Sequence, residues 1–180
     1  MMERLMRHEL SRRAKGDATL QIRSAGTLAR PGEEMHRHAL TVLANQGLDG
    51  SDFRTTWLTE AAVADVDVVV GAAREHRAAA VRLRPALLNR AFTLAELARI
   101  TAAIGPTTLP GSTVDERFLE LVRRAAARRG ETRPDDPTAD DLRDPIGQPK
   151  RDFERCAQDV AERLSPIIDL LAPGGAPTTA

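Results

Sequence analysis

The run Val66-Asp67-Val68-Val69-Val70 constrains the fold of this chain more than any other segment. It is short, β-branched and almost wholly apolar, which is typical of a strand that other elements cover on both faces. Two further short strands are predicted at 19–23 and 91–94, and helical periodicity occupies most of the remaining chain. The alternation of strands and helices predicts an α/β fold with a parallel sheet.

Helices are predicted from the spacing of apolar residues and from flanking Gly and Pro. They lie at 1–15, 31–47, 74–83, 95–100, 114–129 and 150–171, with a shorter helix opened by Thr59 and Glu60. The first of these helices has no Ser, Thr, Asp or Asn before it to cap its free N–H groups. The apolar periodicity of this helix is therefore already present at Met1 and Met2, as it would be in the interior of a helix.

The composition is that of a globular protein with one domain. The chain has 180 residues, 42% of them hydrophobic, and its 26 basic residues balance 26 acidic ones. A net charge of zero provides no general attraction to nucleic acid or to an anionic membrane. No apolar stretch approaches the roughly 18 residues of a membrane span, and no signal peptide pattern is present. We expect a cytoplasmic protein with one domain at 1–172 and a disordered tail at 173–180.

Several segments follow one another in an order and spacing that are typical of one enzyme family. They are Ser24-Ala25-Gly26-Thr27, the Pro31-Gly32 turn, Gly47-Leu48-Asp49, Leu58-Thr59, the 64–70 strand, Arg74-Glu75-His76-Arg77, Phe92-Thr93-Leu94 and Asp141-Leu142-Arg143-Asp144-Pro145-Ile146-Gly147. As an ordered set they resemble the low-molecular-weight protein-tyrosine phosphatases over nearly the whole chain.

The resemblance implies a three-layer α/β sandwich with parallel strands in the order 2-1-3-4. It also implies an enzyme that dephosphorylates phosphotyrosine proteins through a cysteinyl-phosphate intermediate, with a phosphorylated protein as partner and no metal or other cofactor. Asp144 matches the family's general acid, which protonates the leaving oxygen and then activates water. Without the resemblance, Asp144 would be a turn carboxylate before a proline.

The family's catalytic loop, Cys-x-x-x-x-x-Arg-Ser-Pro, has no counterpart in these residues. That loop provides a low-pKa thiolate and a bidentate Arg for the phosphate. Met1 to Arg7 resemble the segment that follows it, and the single Cys156 has Glu162 where the Arg would stand. The chain as given is therefore expected to be inactive. The alternative is a pseudophosphatase that acts as a binding or regulatory module.

The resemblance also implies that the strand before the loop is an interior one, flanked by the strands at 20–23 and 66–70. Its absence would leave two unpaired edges, and each buried unpaired backbone group costs about 1 to 3 kcal/mol. Three outcomes follow: the true start lies upstream, the flanking strands pair with each other, or the chain self-associates through its exposed edges. We favour an upstream start.

Other candidate residues receive structural interpretations. Cys156 shares a helical face with Phe153 and Val160, which favours a buried, inert thiol. His36 and His38 are predicted to diverge by about 200° on a helix, so no metal site is expected. A strip of arginines at 123–129 is interpreted as a solvated helix face.

Two departures from the family pattern concern the substrate. Ile146 stands where relatives often have an aromatic residue in the pocket wall, and Phe53 occupies the position of a supporting His. Both departures argue against strict phosphotyrosine specificity. Phosphoarginine chemistry, which some relatives perform, stays open.

Overall fold

The computed structural model describes residues 1–14 and 20–172. Its elements are α1 (Met2–Arg13), α2 (Arg37–Asn45), α3 (Glu60–Val63), β1 (Val69–Gly71), α4 (Arg74–Leu83), β2 (Ala91–Thr93), α5 (Leu94–Ile104), α6 (Val114–Ala127) and α7 (Lys150–Leu171), with 3₁₀ turns at Pro85–Leu87 and Pro137–Asp140. The predicted tail at 173–180 lies outside the described residues. No helix among those described is long and apolar enough to cross a membrane.

The sheet confirms the predicted parallel α/β architecture. Strands β1 and β2 pair in parallel, with Val70 opposite Phe92. Successive side chains of β2 point to opposite faces, so Phe92 joins one apolar cluster and Ala91 joins another. Helices α3 and α4 contribute to the smaller cluster, and α1, α2, α5, α6 and α7 form the larger one. The three layers are therefore helices, sheet and helices.

Helix α7 is the main support of the larger layer. It packs against α5, α1, α2 and α6. Its apolar residues recur every three or four positions, so that one stripe is buried along its whole length. The stripe consists of Phe153, Ala157, Val160, Leu164, Ile167, Ile168, Leu170 and Leu171.

The predicted strand at 19–23 is wrong over its described part. Residues 20–23 run beside α1 without a strand partner, and pairing begins only with an isolated parallel bridge between Gly26 and Trp57. The backbone oxygen of Ile22 accepts a hydrogen bond from the Arg7 side chain instead. A cavity of about 370 Å³ lies here, lined by Arg7 and residues 20–23.

The predicted strand at 66–70 is shifted towards its end. Strand β1 covers Val69–Gly71, and Val69 and Val70 are only half-buried. Both faces of β1 are nonetheless covered, as predicted, because Val70 packs against the larger apolar cluster and Val69 against the smaller one. Its second edge has no strand partner in the described part of the chain.

The predicted helix from Pro31 is also shorter than expected. Gly32 adopts φ 84°, which a turn accommodates and a helix does not, and Glu34 forms an antiparallel bridge with Arg54. Helix α2 therefore begins at Arg37, and Gly47, with φ 74°, lies just beyond its end as predicted.

Candidate active site

The loop that follows the second 3₁₀ turn holds Asp144 on the surface. The Asp144 Oδ1 atom accepts the N–H of Ile146 at 3.0 Å, which forms an Asx turn around Pro145. Gly147 closes the loop with φ 77°, a conformation that favours glycine. The Asp144 carboxylate and the Ile146 side chain are both exposed.

This loop is fastened to the carboxyl end of β1 through Asp141. One Asp141 oxygen accepts the backbone N–H of Arg74 at 2.7 Å, and the Arg74 guanidinium donates to both oxygens at 2.9 to 3.2 Å. The N–H of Leu142 also donates to the Ala72 oxygen at 2.8 Å. The hydrogen bonds from the Arg74 side chain lower the pKa of Asp141, so it stays an anion at the N-terminus of α4.

A second ion pair fixes the same loop to α5. The Asp140 carboxylate accepts two hydrogen bonds from Arg99, at 2.7 and 2.9 Å. Neither ion pair was predicted from the sequence. No motif distinguishes an anchoring Asp from a solvated one, because the partners Arg74 and Arg99 lie 67 and 41 positions away.

The start of α1 lies beside the loop at 24–26. Ser24 Oγ donates to a carboxylate oxygen of Glu3 at 2.5 Å, and no side chain caps the helix at Met1. This is the position where the family resemblance places the end of a catalytic loop. The uncapped start is the feature that the sequence predicted.

Cys156 lies on the second turn of α7, half-buried against the larger cluster. Burial, followed by the nearby Asp159 carboxylate, raises the pKa of its thiol, and Asp144 acts in the same direction. The amino group of Met1 opposes this shift, with an effect smaller than that of Asp159 and larger than that of Asp144. The loop that carries Asp144 (residues 141–147, the acid loop of the resemblance), the start of α1 and this turn of α7 therefore lie near one another.

The thiol of Cys156 has none of the features of a nucleophile. A reactive cysteine requires converging N–H groups or cations that lower its pKa. Cys156 is inside a helix whose N–H groups are already bonded, and its pKa is shifted upwards. It differs from the expected thiol only in being half-buried instead of buried.

The two histidines at the start of α2 do not diverge, so that expectation is wrong. His36 is the N-cap residue outside the helix, and its Nδ1 atom accepts the N–H of His38 at 3.2 Å. Both rings contact Phe153, and their centroids are 5.2 Å apart. Helical angles do not apply to a residue that precedes the helix. The described residues contain no group of three metal-ligating side chains.

The arginine strip is not simply a solvated face. Arg123 and Arg124 both bind Glu120, and Arg128 binds Glu131. Arg129 turns inwards, and its guanidinium lies 4.2 Å from the centroid of the Phe92 ring.

These features agree with the comparisons with known proteins. The family described as low molecular weight phosphotyrosine protein phosphatase matches residues 1–102, which is more than half of the chain. The chain belongs to this family. The matched range includes α1 to most of α5 and both strands, whereas Asp144 lies beyond it. No curated protein matches the chain.

Solved structures of phosphatases share the fold. A low molecular weight protein tyrosine phosphatase from T. tengcongensis is 22% identical, with a TM-score of 0.62 over 93% of this chain and 87% of that one. An arginine phosphatase, YwlE, from Geobacillus stearothermophilus is 18% identical, with a TM-score of 0.61 over 94% and 82%. Wzb from Vibrio vulnificus, solved with benzylphosphonate, is 16% identical, with a TM-score of 0.61 over 93% and 86%.

Proposed function

We propose that this chain is the body of a phosphomonoester hydrolase that acts on phosphorylated proteins through a cysteinyl intermediate. Asp144 is its general acid, and the nucleophile belongs to a segment upstream of Met1. The observation that supports the proposal is that the Asp144 loop is bonded to the carboxyl end of β1 through Leu142, which packs against the same apolar cluster as Cys156 and Met1 at the uncapped start of α1. An acid works when it reaches the leaving oxygen of a phosphate held at that helix start.

The 180 residues alone are proposed to be inactive. They contain no Cys followed six positions later by Arg, because Glu162 follows Cys156 at that spacing. The only thiol is protonated at neutral pH, since its pKa is raised. Hydrolysis through a cysteinyl intermediate requires a thiolate.

An assay with an aryl phosphate tests this proposal. The 180-residue protein should give no turnover above background, and the Cys156→Ser variant should behave identically. Turnover that survives Cys156→Ser would contradict the proposed role of an upstream loop. Turnover that this substitution abolishes would contradict the inert assignment of Cys156.

Translation of the DNA upstream of Met1 separates the enzyme from the alternative. An in-frame Cys-x-x-x-x-x-Arg-Ser-Pro supports the phosphatase, and in the extended protein Asp144→Asn should then lower kcat by about 10²-fold to 10⁴-fold. A normal kcat in that variant would refute the role of Asp144. Absence of the motif supports a pseudophosphatase that binds partners without chemistry.

The unpaired segment at 20–23 and its cavity support the upstream start. An additional parallel strand between this segment and β1 would form hydrogen bonds with the backbone N–H and C=O groups of residues 20–23. The Arg7 side chain now donates to one of these groups, the backbone oxygen of Ile22, beside the cavity. If no such strand exists, the open edges should promote self-association, which analytical ultracentrifugation of the 180-residue protein detects.

Two further properties remain proposals. Residues 1–172 form one domain followed by the tail at 173–180, and a single cysteine fits a reducing, cytoplasmic location.

The phosphorylated residue of the substrate is tyrosine or arginine. The exposed Ile146 provides an apolar wall without an aromatic ring for either, so a comparison of the two phosphopeptides is needed.

A further inference from the structure

Two histidines cap helix starts through ring nitrogens. His36 Nδ1 accepts the N–H of His38 at the start of α2, and His76 Nδ1 accepts the N–H of Ala73 at the start of α4. Both distances are 3.2 Å. An imidazole accepts at Nδ1 only when it is neutral, because both nitrogens of the protonated ring are donors. Each of these hydrogen bonds is therefore lost when the ring is protonated. The charged groups around His36 and around His76 determine whether another group then caps the helix.

The His36 ring also joins α2 to α7. It stacks on Phe153 with a centroid distance of 4.7 Å and an interplanar angle of 10°, while His38 meets the same ring edge-on at 5.4 Å. Phe153 is 1% exposed and lies in the first turn of α7. A change at His36 therefore acts on the packing of two helices.

Positive charges surround the two histidines at the start of α2. Arg37 lies between His36 and His38 in the sequence, and Lys150 lies nearby on α7. Burial lowers the pKa of His38, and the charges of Arg37, His36 and Lys150 lower it further, in that order. A positive charge here also opposes the positive end of the α2 dipole. Stacking of a charged ring on Phe153 offsets only part of this cost.

The carboxylates nearest in sequence or packing are engaged elsewhere. Glu34, which precedes α2, pairs with Arg54, and Glu154 on α7 pairs with Lys150. In the loop that packs on α2 near Gly50, Asp49 accepts from Ser51 and Asp52 pairs with Arg4. Asp152, next to Phe153, pairs with Arg151 and Arg155.

The surroundings of His76 are the opposite. Its Nε2 atom is 3.7 Å from the Glu75 carboxylate, and Asp141 lies close enough to interact with it electrostatically. Asp141 also accepts the N–H of Arg74, so the start of α4 keeps an anionic cap when the ring is protonated. The start of α4 therefore has a second, anionic cap besides its histidine, whereas the start of α2 has its histidine cap alone among the contacts of the described residues.

We propose that the start of α2 is an acid-sensitive joint, in which protonation of His36 releases the first turn of α2 from Phe153 of α7. Histidine changes charge within pH 5 to 8, so the joint is closed at pH 7.5 and loosened at pH 5. The lowered pKa of His38 predicts a pH dependence of stability in the same direction. A histidine with a lowered pKa takes up its proton more readily in the unfolded state, so stability falls as the pH falls. Phe153, which the first turn of α2 would leave, lies one turn before Cys156 on α7.

Amide hydrogen exchange followed by NMR tests the joint. Protection factors, which correct for the intrinsic pH dependence of exchange, should fall about fivefold at the His38 amide between pH 7.5 and pH 5, as expected for loss of a cap. Over the same range the Ala73 amide at α4 should change less than twofold. The neutral His36 ring should show the ¹⁵N shift of an unprotonated Nδ1 atom.

The substitution His36→Asn supplies the decisive comparison, because Asn is a strong N-cap that does not titrate. This variant should keep the His38 protection factor constant from pH 7.5 to pH 5. Three results would overturn the proposal: a wild-type His38 protection factor that does not change with pH, an equal loss at Ala73, or a pH dependence that persists in His36→Asn. The control His8→Gln should retain the wild-type pH dependence.

Discussion

The carboxylate of Glu96 is a buried charge that connects β2, α4, α5 and the segment after α6, and its removal should strongly destabilise the protein. Glu96 is 4% exposed in the first turn of α5. One oxygen accepts from Arg77 of α4 at 2.8 Å, and the other lies 2.9 Å from the Nε atom of Arg129. It also reaches back to the N–H of Thr93 at 3.3 Å, which completes a capping box.

The expected magnitude follows from these contacts. Breaking a buried ion pair by removing one partner costs about 3 to 5 kcal/mol. Arg77 and Arg129 retain 32% and 27% side-chain exposure, so water stabilises the arginines left behind and the lower end applies. Loss of the backbone contact adds about 0.5 kcal/mol. We expect Glu96→Ala to lower the free energy of unfolding by about 3.5 kcal/mol, which corresponds to roughly 7 to 14 °C in Tm.

Urea unfolding followed by circular dichroism measures this loss, with Glu120→Ala as the matched control. Glu120 also binds two arginines, but both are on its own helix at short spacing. Such local, solvated pairs contribute little, so the control should shift the midpoint far less. Glu96→Gln should be intermediate because it keeps the acceptor for Thr93. The reasoning is refuted if Glu96→Ala loses less than about 0.5 kcal/mol or equals Glu120→Ala.

Three other predictions concern the acid loop, one carboxylate and one turn. Asp141→Asn should loosen the acid loop and speed tryptic cleavage after Arg143, measured by mass spectrometry. Hydrogen bonds from Arg123 and then Arg124 lower the pKa of Glu120 to about 2, so its stabilising charge is lost only as the pH falls through that value, which a ¹³C carboxyl titration checks. Gly111→Ala should lower the free energy of unfolding by about 1 to 3 kcal/mol in urea, because Gly111 has φ 135° and a Cβ would lie 2.8 Å from that of Glu116.

Each of these has a comparison that can contradict it. Asp135→Asn leaves the Asp141 anchor intact, and equal cleavage rates in the two variants would exclude the anchoring role. A Glu120 midpoint near the ordinary value of about 4.3 would contradict the ion pairs. Gly105→Ala has φ 72° but nothing within 4 Å of the new Cβ, so it should cost less than Gly111→Ala.

The sequence predicted the elements that local pattern determines. Helices α4 and α7 begin and end where periodicity and Pro85 place them, and Thr59 caps α3 through its side chain. Strand limits were predicted less well, because a strand exists only where a neighbour pairs with it. Leu20 and Ile22 have the right composition but no partner, so no strand forms there.

The site was predictable only where a motif carries it. The role of Asp144 came from the family resemblance and stays a prediction. The ion pair between Asp141 and Arg74 was not predicted, because a tertiary ion pair leaves no local signal. Arg129 was assigned to solvent from helical spacing, yet it lies beyond the end of α6, where that spacing no longer applies.

The position of α7 in the core has a consequence for biosynthesis. The helices that bury their apolar faces on α7 precede it in the chain. For α1, the residues of α7 that cover it lie more than a hundred positions further on. On the ribosome, those faces stay exposed until the segment containing α7 has been made. Contacts between such distant segments form slowly, so the nascent chain is vulnerable to aggregation and suited to protection by chaperones until synthesis reaches Leu171.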